Sequence, residues 1–190
     1  MKKNRWKKGI ALFLSITAIF IGSMIPVQAS EYWPQAPETA SPCVMVMEMN
    51  TGAVLYEKNV DEVHYPASIT KIMTAMLALK YGNMNDVVTI TQENLNLEEG
   101  SQVCGFWAGD QVTMDQLLHC LLVYSGNDAA AAIAEHVGGS TDGFVEMMNS
   151  YARELGCTGT HFTNPHGLQD ENHYTCLLYT SPSPRDRSVS

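Results

Sequence analysis

The sequence predicts a mixed α/β domain of the α+β kind. Two observations carry that expectation. Two short apolar runs flank an Asn-Thr-Gly turn at residues 50–52, and from Ser68 onward apolar side chains recur at helical spacing in four segments, three of them followed by glycine. A chain of 190 residues with 45% apolar content has enough material for one packed domain of ordinary size.

The elements follow in order. Cys43 to Glu48 and Ala53 to Glu57 are the runs of a β-hairpin, with Gly52 supplying the positive φ of its tight turn. From Ser68 to Lys80, Ile69, Ile72, Met73, Met76, Leu77 and Leu79 form the apolar face of a first helix, and Gly82 is its stop. A second helix is expected over Thr113 to Val123 and a third over Asp128 to Val137, where Ala129 to Ala132 permit close packing before Gly138-Gly139. Gly143 to Leu155 is the fourth, ended by Gly156, and no internal repeat is present.

The ends are read differently. Lys2, Lys3, Arg5, Lys7 and Lys8 precede an apolar run from Ile10 to Ile25 and then Val27-Gln28-Ala29, the pattern of a secretory signal peptide over residues 1–29. An uncleaved membrane anchor is the alternative, and both export the remainder. Residues 30–42, rich in Pro, Glu and Ala, read as a spacer, residues 43–175 as the domain, and residues 176–190 as a non-native tail in which Ser, Pro and Arg replace any structural period.

Between residues 30 and 175 four basic side chains (Lys58, Lys71, Lys80, Arg153) stand against nineteen acidic ones, a net of −15. Such a surface repels phosphates and excludes nucleic acid as a partner. Cys43, Cys104, Cys120 and Cys157 are too widely spaced for a disulfide framework and read as buried free thiols, although an exported domain is free to pair two of them.

Ser68-Ile69-Thr70-Lys71 opens the first helix. A serine three residues before a lysine places both side chains on one face, one turn apart. A serine hydroxyl needs a base to become a nucleophile, and a lysine amine serves only when neutral for part of the time. Burial among apolar neighbours such as Ile72, together with the positive end of the helix, would lower the Lys71 pKa. The Ser68 N–H would offer an oxyanion donor. Alone, the tetrad reads more readily as a serine cap before an ordinary surface lysine.

Ser125-Gly126-Asn127 lies between two helical patterns, in a loop able to project side chains into a cleft. Ser125 can relay a proton and Asn127 can hold a peptide backbone or the Lys71 side chain. Alone, the segment reads as a linking turn with Asn127 as helix cap.

Together, Ser68-x-x-Lys71 and Ser125-x-Asn127 match two motifs of penicillin-binding enzymes. With Thr51-Gly52-Ala53-Val54-Leu55-Tyr56-Glu57, Pro66-Ala67-Ser68 and His161-Phe162-Thr163-Asn164-Pro165-His166-Gly167-Leu168, the stretch from Cys43 to Thr175 resembles the serine-type D-Ala-D-Ala carboxypeptidases, the low-molecular-mass penicillin-binding proteins. The resemblance implies a β-lactamase/transpeptidase-like fold, an antiparallel sheet flanked by helices. It also implies that Ser68 attacks the penultimate carbonyl of a peptidoglycan stem peptide ending in D-Ala-D-Ala, forms an acyl-enzyme that water hydrolyses, and is acylated by β-lactam antibiotics. Ser68, Lys71 and Ser125 become the catalytic residues and Asn127 the substrate-binding one, with no cofactor and no metal. A C-terminal membrane anchor is common in such proteins, so the expected location is the outer face of the cytoplasmic membrane or outside the cell.

The family's third motif, a Lys-Thr-Gly strand, is absent: no lysine follows Lys80 and no Arg-Thr-Gly replaces it. The expectation is an incomplete fold, represented only by the N-terminal hairpin of its sheet, and a chain of impaired activity, since losing one oxyanion donor costs ~10²- to 10³-fold in turnover. The competing readings are a β-lactamase or esterase on the same scaffold and a non-catalytic wall-binding fragment. Two features are set aside. His161, His166 and His173 with Asp170 and Glu171 lack the spacing of a zinc site, and Glu93-Asn94-Leu95-Asn96 precedes the Ser-x-Asn motif where the deacylating acidic loop of class A β-lactamases follows it. Trp33, Trp107 and the methionines read as packing residues.

Overall fold

A computed structural model describes residues 37–176. The signal-peptide reading, the first part of the spacer, Trp33 and the tail from residue 177 onward fall outside the described residues.

The expected hairpin is present. β1 (Val44–Met47) pairs antiparallel with β2 (Val54–Lys58), with a bulge between Val46 and Met47. Gly52 has φ +69°, and the Glu48 carboxylate clasps the turn by accepting hydrogen bonds from the Asn50 and Thr51 N–H groups. The spacer's end is laced to β2, since Lys58 Nζ donates to the carbonyls of Thr39 and Ser41.

The first helix begins as a 3₁₀ turn over Ala67–Ile69 and continues as α1 (Thr70–Tyr81). Its buried face is rotated from the expected one. Met73, Thr74, Ala75, Leu77 and Ala78 are buried, whereas Ile69, Ile72 and Leu79 are 48%, 41% and 63% exposed. The neighbour explains the rotation: α1 packs on α3 (Asn127–Gly138), whose alanines Ala129 to Ala132 are also buried. Small side chains on both helices allow close approach, so Thr74, Ala75 and Ala78 face inward while bulkier Ile72 faces out. Gly82 ends α1 sterically, in an extended conformation and not a left-handed one. A Cβ there would sit 2.7 Å from the Ala78 carbonyl oxygen.

A second antiparallel pair, β3 (Val87–Thr89) with β4 (Gln111–Thr113), adds strands that the sequence reading lacked. Thr113 then caps α2 (Met114–His119) in a capping box with Gln116. The expected continuous helix to Val123 is corrected: the hydrogen-bond ladder slips to a π segment over Cys120–Tyr124, which ends on Ser125 in the left-handed region at φ +63°. α3 closes at Gly139 with φ +73°, and α4 (Thr141–Glu154) is capped by the Ser140 hydroxyl, which accepts from the Gly143 N–H.

Leu77, Met114, Leu117, Ile133, Phe144 and Met148 form the centre of the core between these helices. Met73, Met114 and Met148 pack as expected, but Trp107 and Met49 do not, at 78% and 83% exposed. Residues beyond α4 return to the start of α1: His161 bridges Tyr174 and His64 bridges Thr175. The last described residues therefore lie beside the approach to Ser68.

Candidate active site

Ser68 sits at the middle of the 3₁₀ turn, exposed, in a turn held from below. Ala67 adopts φ +48°, a costly conformation for a residue with a Cβ. Gly167, at φ +88°, presses against it so closely that a Cβ there would sit 1.8 Å from the Ala67 oxygen. The glycine of the Asn-Pro-His-Gly turn thus supports the strained residue beside the serine.

Lys71 follows one turn later and is 3% exposed. Its Nζ lies 3.2 Å from Ser68 Oγ, 2.6 Å from Asn127 Oδ1 and 2.8 Å from the His166 carbonyl oxygen. Burial pulls its pKa down to about 8. The expected cause is present, but Ile72 is not its source, because that side chain points to solvent. The surroundings are instead polar acceptors and buried backbone. Asn127 Oδ1 and the His166 carbonyl can only accept, so a neutral amine satisfies them with its two N–H bonds and turns its lone pair toward the Ser68 hydroxyl.

Asn127 is the first residue of α3, not its cap; Gly126 occupies the cap position and Asn127 is buried with its amide committed to Lys71. Ser125 ends the π segment in the same loop, half-buried. Among the described residues, hydrogen bonds join Ser68, Lys71 and Asn127 but do not include the Ser125 hydroxyl. Next to Asn127, the fully buried Asp128 carboxylate accepts from the Cys104, Gly105 and Ala129 N–H groups at 2.9 to 3.1 Å. These are charge-assisted bonds at a helix N-terminus, where negative charge is favoured.

Sequence reasoning missed a second tier around the site. Asn164 Oδ1 accepts from the His166 and Gly167 N–H groups and its amide donates to the Leu168 carbonyl, which shapes the turn that presents the His166 oxygen to Lys71. Thr74 Oγ1 donates to the Pro165 carbonyl at 2.5 Å. His173 is buried, with Nδ1 accepting from the Thr163 N–H at 3.0 Å and Nε2 2.8 Å from Thr70 Oγ1. That pattern fixes the neutral tautomer with hydrogen on Nε2, donating to Thr70. Burial lowers the His173 pKa to about 4, and burial with the Lys71 charge does the same for His166. The only prior signal was the Asn164-Pro165-His166-Gly167 turn itself, because a backbone acceptor leaves no mark on residue identity.

The segments set aside have structural partners. His161 Nδ1 contacts the Asn172 carbonyl at 2.6 Å. Asn94 is buried, accepting from the Thr91 N–H and donating to the Glu135 carboxylate, which ties the loop after β3 to α3.

Comparison with known proteins agrees with this geometry. A D-alanyl-D-alanine carboxypeptidase family model matches residues 30–182. The chain is 35% identical over 170 residues to the D-alanyl-D-alanine carboxypeptidase DacA of Haemophilus influenzae, covering 86% of this chain and 43% of that protein. It is 43% identical over 136 residues to DacF of Bacillus subtilis, covering 69% of this chain and 34% of DacF. Among solved structures, penicillin binding protein 5 from Haemophilus influenzae aligns with a TM-score of 0.73 at 35% identity, over 82% of this chain and 48% of that one. DacD from Francisella tularensis gives 0.73 at 32% identity, over 86% and 41%. The chain therefore spans less than half the length of these relatives, and its mixed α/β fold is that of the DD-peptidases. On its sequence match and its fold, this chain belongs to the D-alanyl-D-alanine carboxypeptidase family.

Proposed function

We propose that Ser68 is the acylated nucleophile of a serine peptidase that removes the terminal D-Ala from peptidoglycan stem peptides. The observation that carries this reading is the Lys71 amine, buried, drawn down to about 8, and held between Ser68 Oγ, Asn127 Oδ1 and the His166 carbonyl. Neutral Lys71 takes the Ser68 proton as Oγ attacks the penultimate carbonyl, and the Ser68 N–H at the helix start stabilises the oxyanion. The collapsing intermediate expels D-Ala, whose amine receives the proton from Lys71 by way of Ser125. Water then cleaves the ester and restores Ser68. A β-lactam ring opens on Ser68 by the same attack and leaves a slowly hydrolysed ester.

Export through the residue 1–29 leader would place this chemistry at the outer face of the cytoplasmic membrane or beyond it, and the net charge of −15 between residues 30 and 175 suits a partner other than nucleic acid. The alternative reading is a non-catalytic wall-binding module. D-alanine release from a peptide ending in D-Ala-D-Ala separates the two. Release that disappears in Ser68→Ala supports the peptidase. Peptide binding without release, equal in both proteins, supports the module. Rapid turnover of penicillin by Ser68 would instead indicate a β-lactamase on this scaffold.

A further inference from the structure

The loop from Ser101 to Gly105 runs beside the turn that carries Ser125 and Asn127. Hydrogen bonds lace the two segments together. The Asn127 N–H donates to the Gln102 carbonyl at 2.8 Å, Gln102 Nε2 donates to the Tyr124 carbonyl at 3.1 Å, and the Cys104 and Gly105 N–H groups donate to the buried Asp128 carboxylate. The position of Asn127, and through it that of the Lys71 amine, thus depends on a loop remote in sequence.

Two cysteines meet at this seam. Cys104 Sγ lies 3.9 Å from the Cys120 carbonyl oxygen, the same oxygen that accepts the Gly126 N–H at 3.2 Å. The Cys120 side chain is near enough to bear on the Cys104 thiol electrostatically. A Cβ on Gly126 would come within 2.3 Å of the Cys104 sulfur, so the Cys104 side chain is seated between Cys120 and the backbone of the Ser-Gly-Asn turn. Neither thiol takes part in the serine chemistry, both are free and both are partly exposed. Cys104 thus lies against Cys120 and both are open to a reagent from solution, the proximity and access that disulfide exchange needs.

We propose that Cys104 and Cys120 are a modification site that forms a reversible disulfide, tying the 101–105 loop to the π segment leading into Ser125-Gly126-Asn127. The reagent is an external disulfide, either a small molecule or a protein of the thiol–disulfide oxidoreductase type. One cysteine thiolate attacks it, forming a mixed disulfide and releasing one external thiol. The second cysteine then attacks the mixed disulfide, forming the internal S–S bond and releasing the other thiol. Both electrons and both protons leave with the external thiols. The order is set by the surroundings. Burial, followed by the Asp128 charge and Cys120, pushes the Cys104 thiol up to about 12, so Cys120 engages the reagent first and Cys104 closes the ring. Closure accordingly quickens as pH rises.

The test uses the whole folded chain. It is incubated with oxidised glutathione at mildly alkaline pH, remaining thiols are alkylated, and the products are mapped by mass spectrometry. No Lys or Arg lies between Lys80 and Arg153, so trypsin leaves both cysteines on one peptide, whereas a protease cutting after Phe106 and Trp107 separates them. The expected result is a Cys104–Cys120 linked pair of peptides that separates on reduction and is lost in Cys104→Ser and in Cys120→Ser. With it, hydrogen exchange of the Gln102 to Asp128 amides slows by about tenfold or more in the oxidised chain. Recovery of both cysteines alkylated overturns the proposal. So does pairing of Cys104 with Cys43 or Cys157, or the same mixture of pairs from a urea-unfolded control. None of these readouts involves serine acylation, so their failure would leave the role of Ser68 untouched.

Discussion

Lys71 Nζ lies 2.6 Å from Asn127 Oδ1, the shortest of its three contacts, although the two residues are 56 positions apart. The amide oxygen holds the amine in place without giving it a counter-charge, which keeps the neutral form accessible. Asn127→Ala is expected to slow acylation of Ser68 by a fluorescent penicillin by about tenfold to a hundredfold, the range for a disturbed general base. Asn127→Asp should do something different, stabilising the ammonium and displacing the pH profile to higher values. Second-order labelling rates across pH check both, and unchanged rates would show that Asn127 does not position the base.

The pH dependence follows from Lys71 itself. With its pKa drawn to about 8, the acylation rate should climb about tenfold per pH unit below that value and level off above it. Stability carries the same signature. The folded pKa lies below the ordinary lysine value of 10.5, so the unfolded chain binds more protons between about 8 and 10.5 and stability rises with pH across that window. Urea denaturation at pH 8 and pH 10 should show wild type gaining stability relative to Lys71→Met, a difference in which the opposing titration of the raised Cys104 thiol, common to both, cancels.

His173 and His166 set the acid limit. Both have folded pKa values near 4 against an ordinary 6.5, so each contributes stability that is complete above about 6.5 and is lost as pH falls through about 4. Denaturant midpoints should therefore drop steeply between pH 6.5 and pH 4. His173→Gln should reduce that slope by about one proton and, by disturbing the bonds to Thr70 and Thr163, cost ~1–3 kcal/mol at neutral pH. An unaltered slope would contradict a buried neutral imidazole at this position.

Gly167→Ala strikes the turn beneath Ser68. The new Cβ is strained at φ +88° and collides with the Ala67 oxygen at 1.8 Å, an atom of the backbone that cannot rotate away. The expected loss is ~3 kcal/mol or more, with slower Ser68 labelling in whatever chain remains folded. Thermal unfolding together with labelling at a temperature well below the transition separates the two effects.

The candidate site was readable in the sequence where its contacts depend on residue type, and hidden where they depend on backbone. Ser68, Lys71 and Asn127 announce themselves by spacing, and hydrogen bonds join them. The His166 carbonyl carries no side-chain signal. The hairpin was legible because Gly52 marks its turn, whereas β3 and β4, three residues each, are too short to display a period of two. The apolar run through Cys120-Leu121-Leu122-Val123 fits a helix whether or not its ladder slips, so the π segment had no separate signature. On α1 the periodicity identified a helix, but the face it buries was decided by the alanines of α3, residues distant in sequence.

The most direct measurement is mass spectrometry of the intact chain after prolonged incubation with a penicillin, followed by peptide mapping of any adduct. A single covalent penicilloyl group is expected on Ser68, forming slowly, faster as pH rises through about 8, and absent in Ser68→Ala. No adduct in the folded wild-type chain, or one mapped to another residue, would contradict the assignment of Ser68 as the nucleophile.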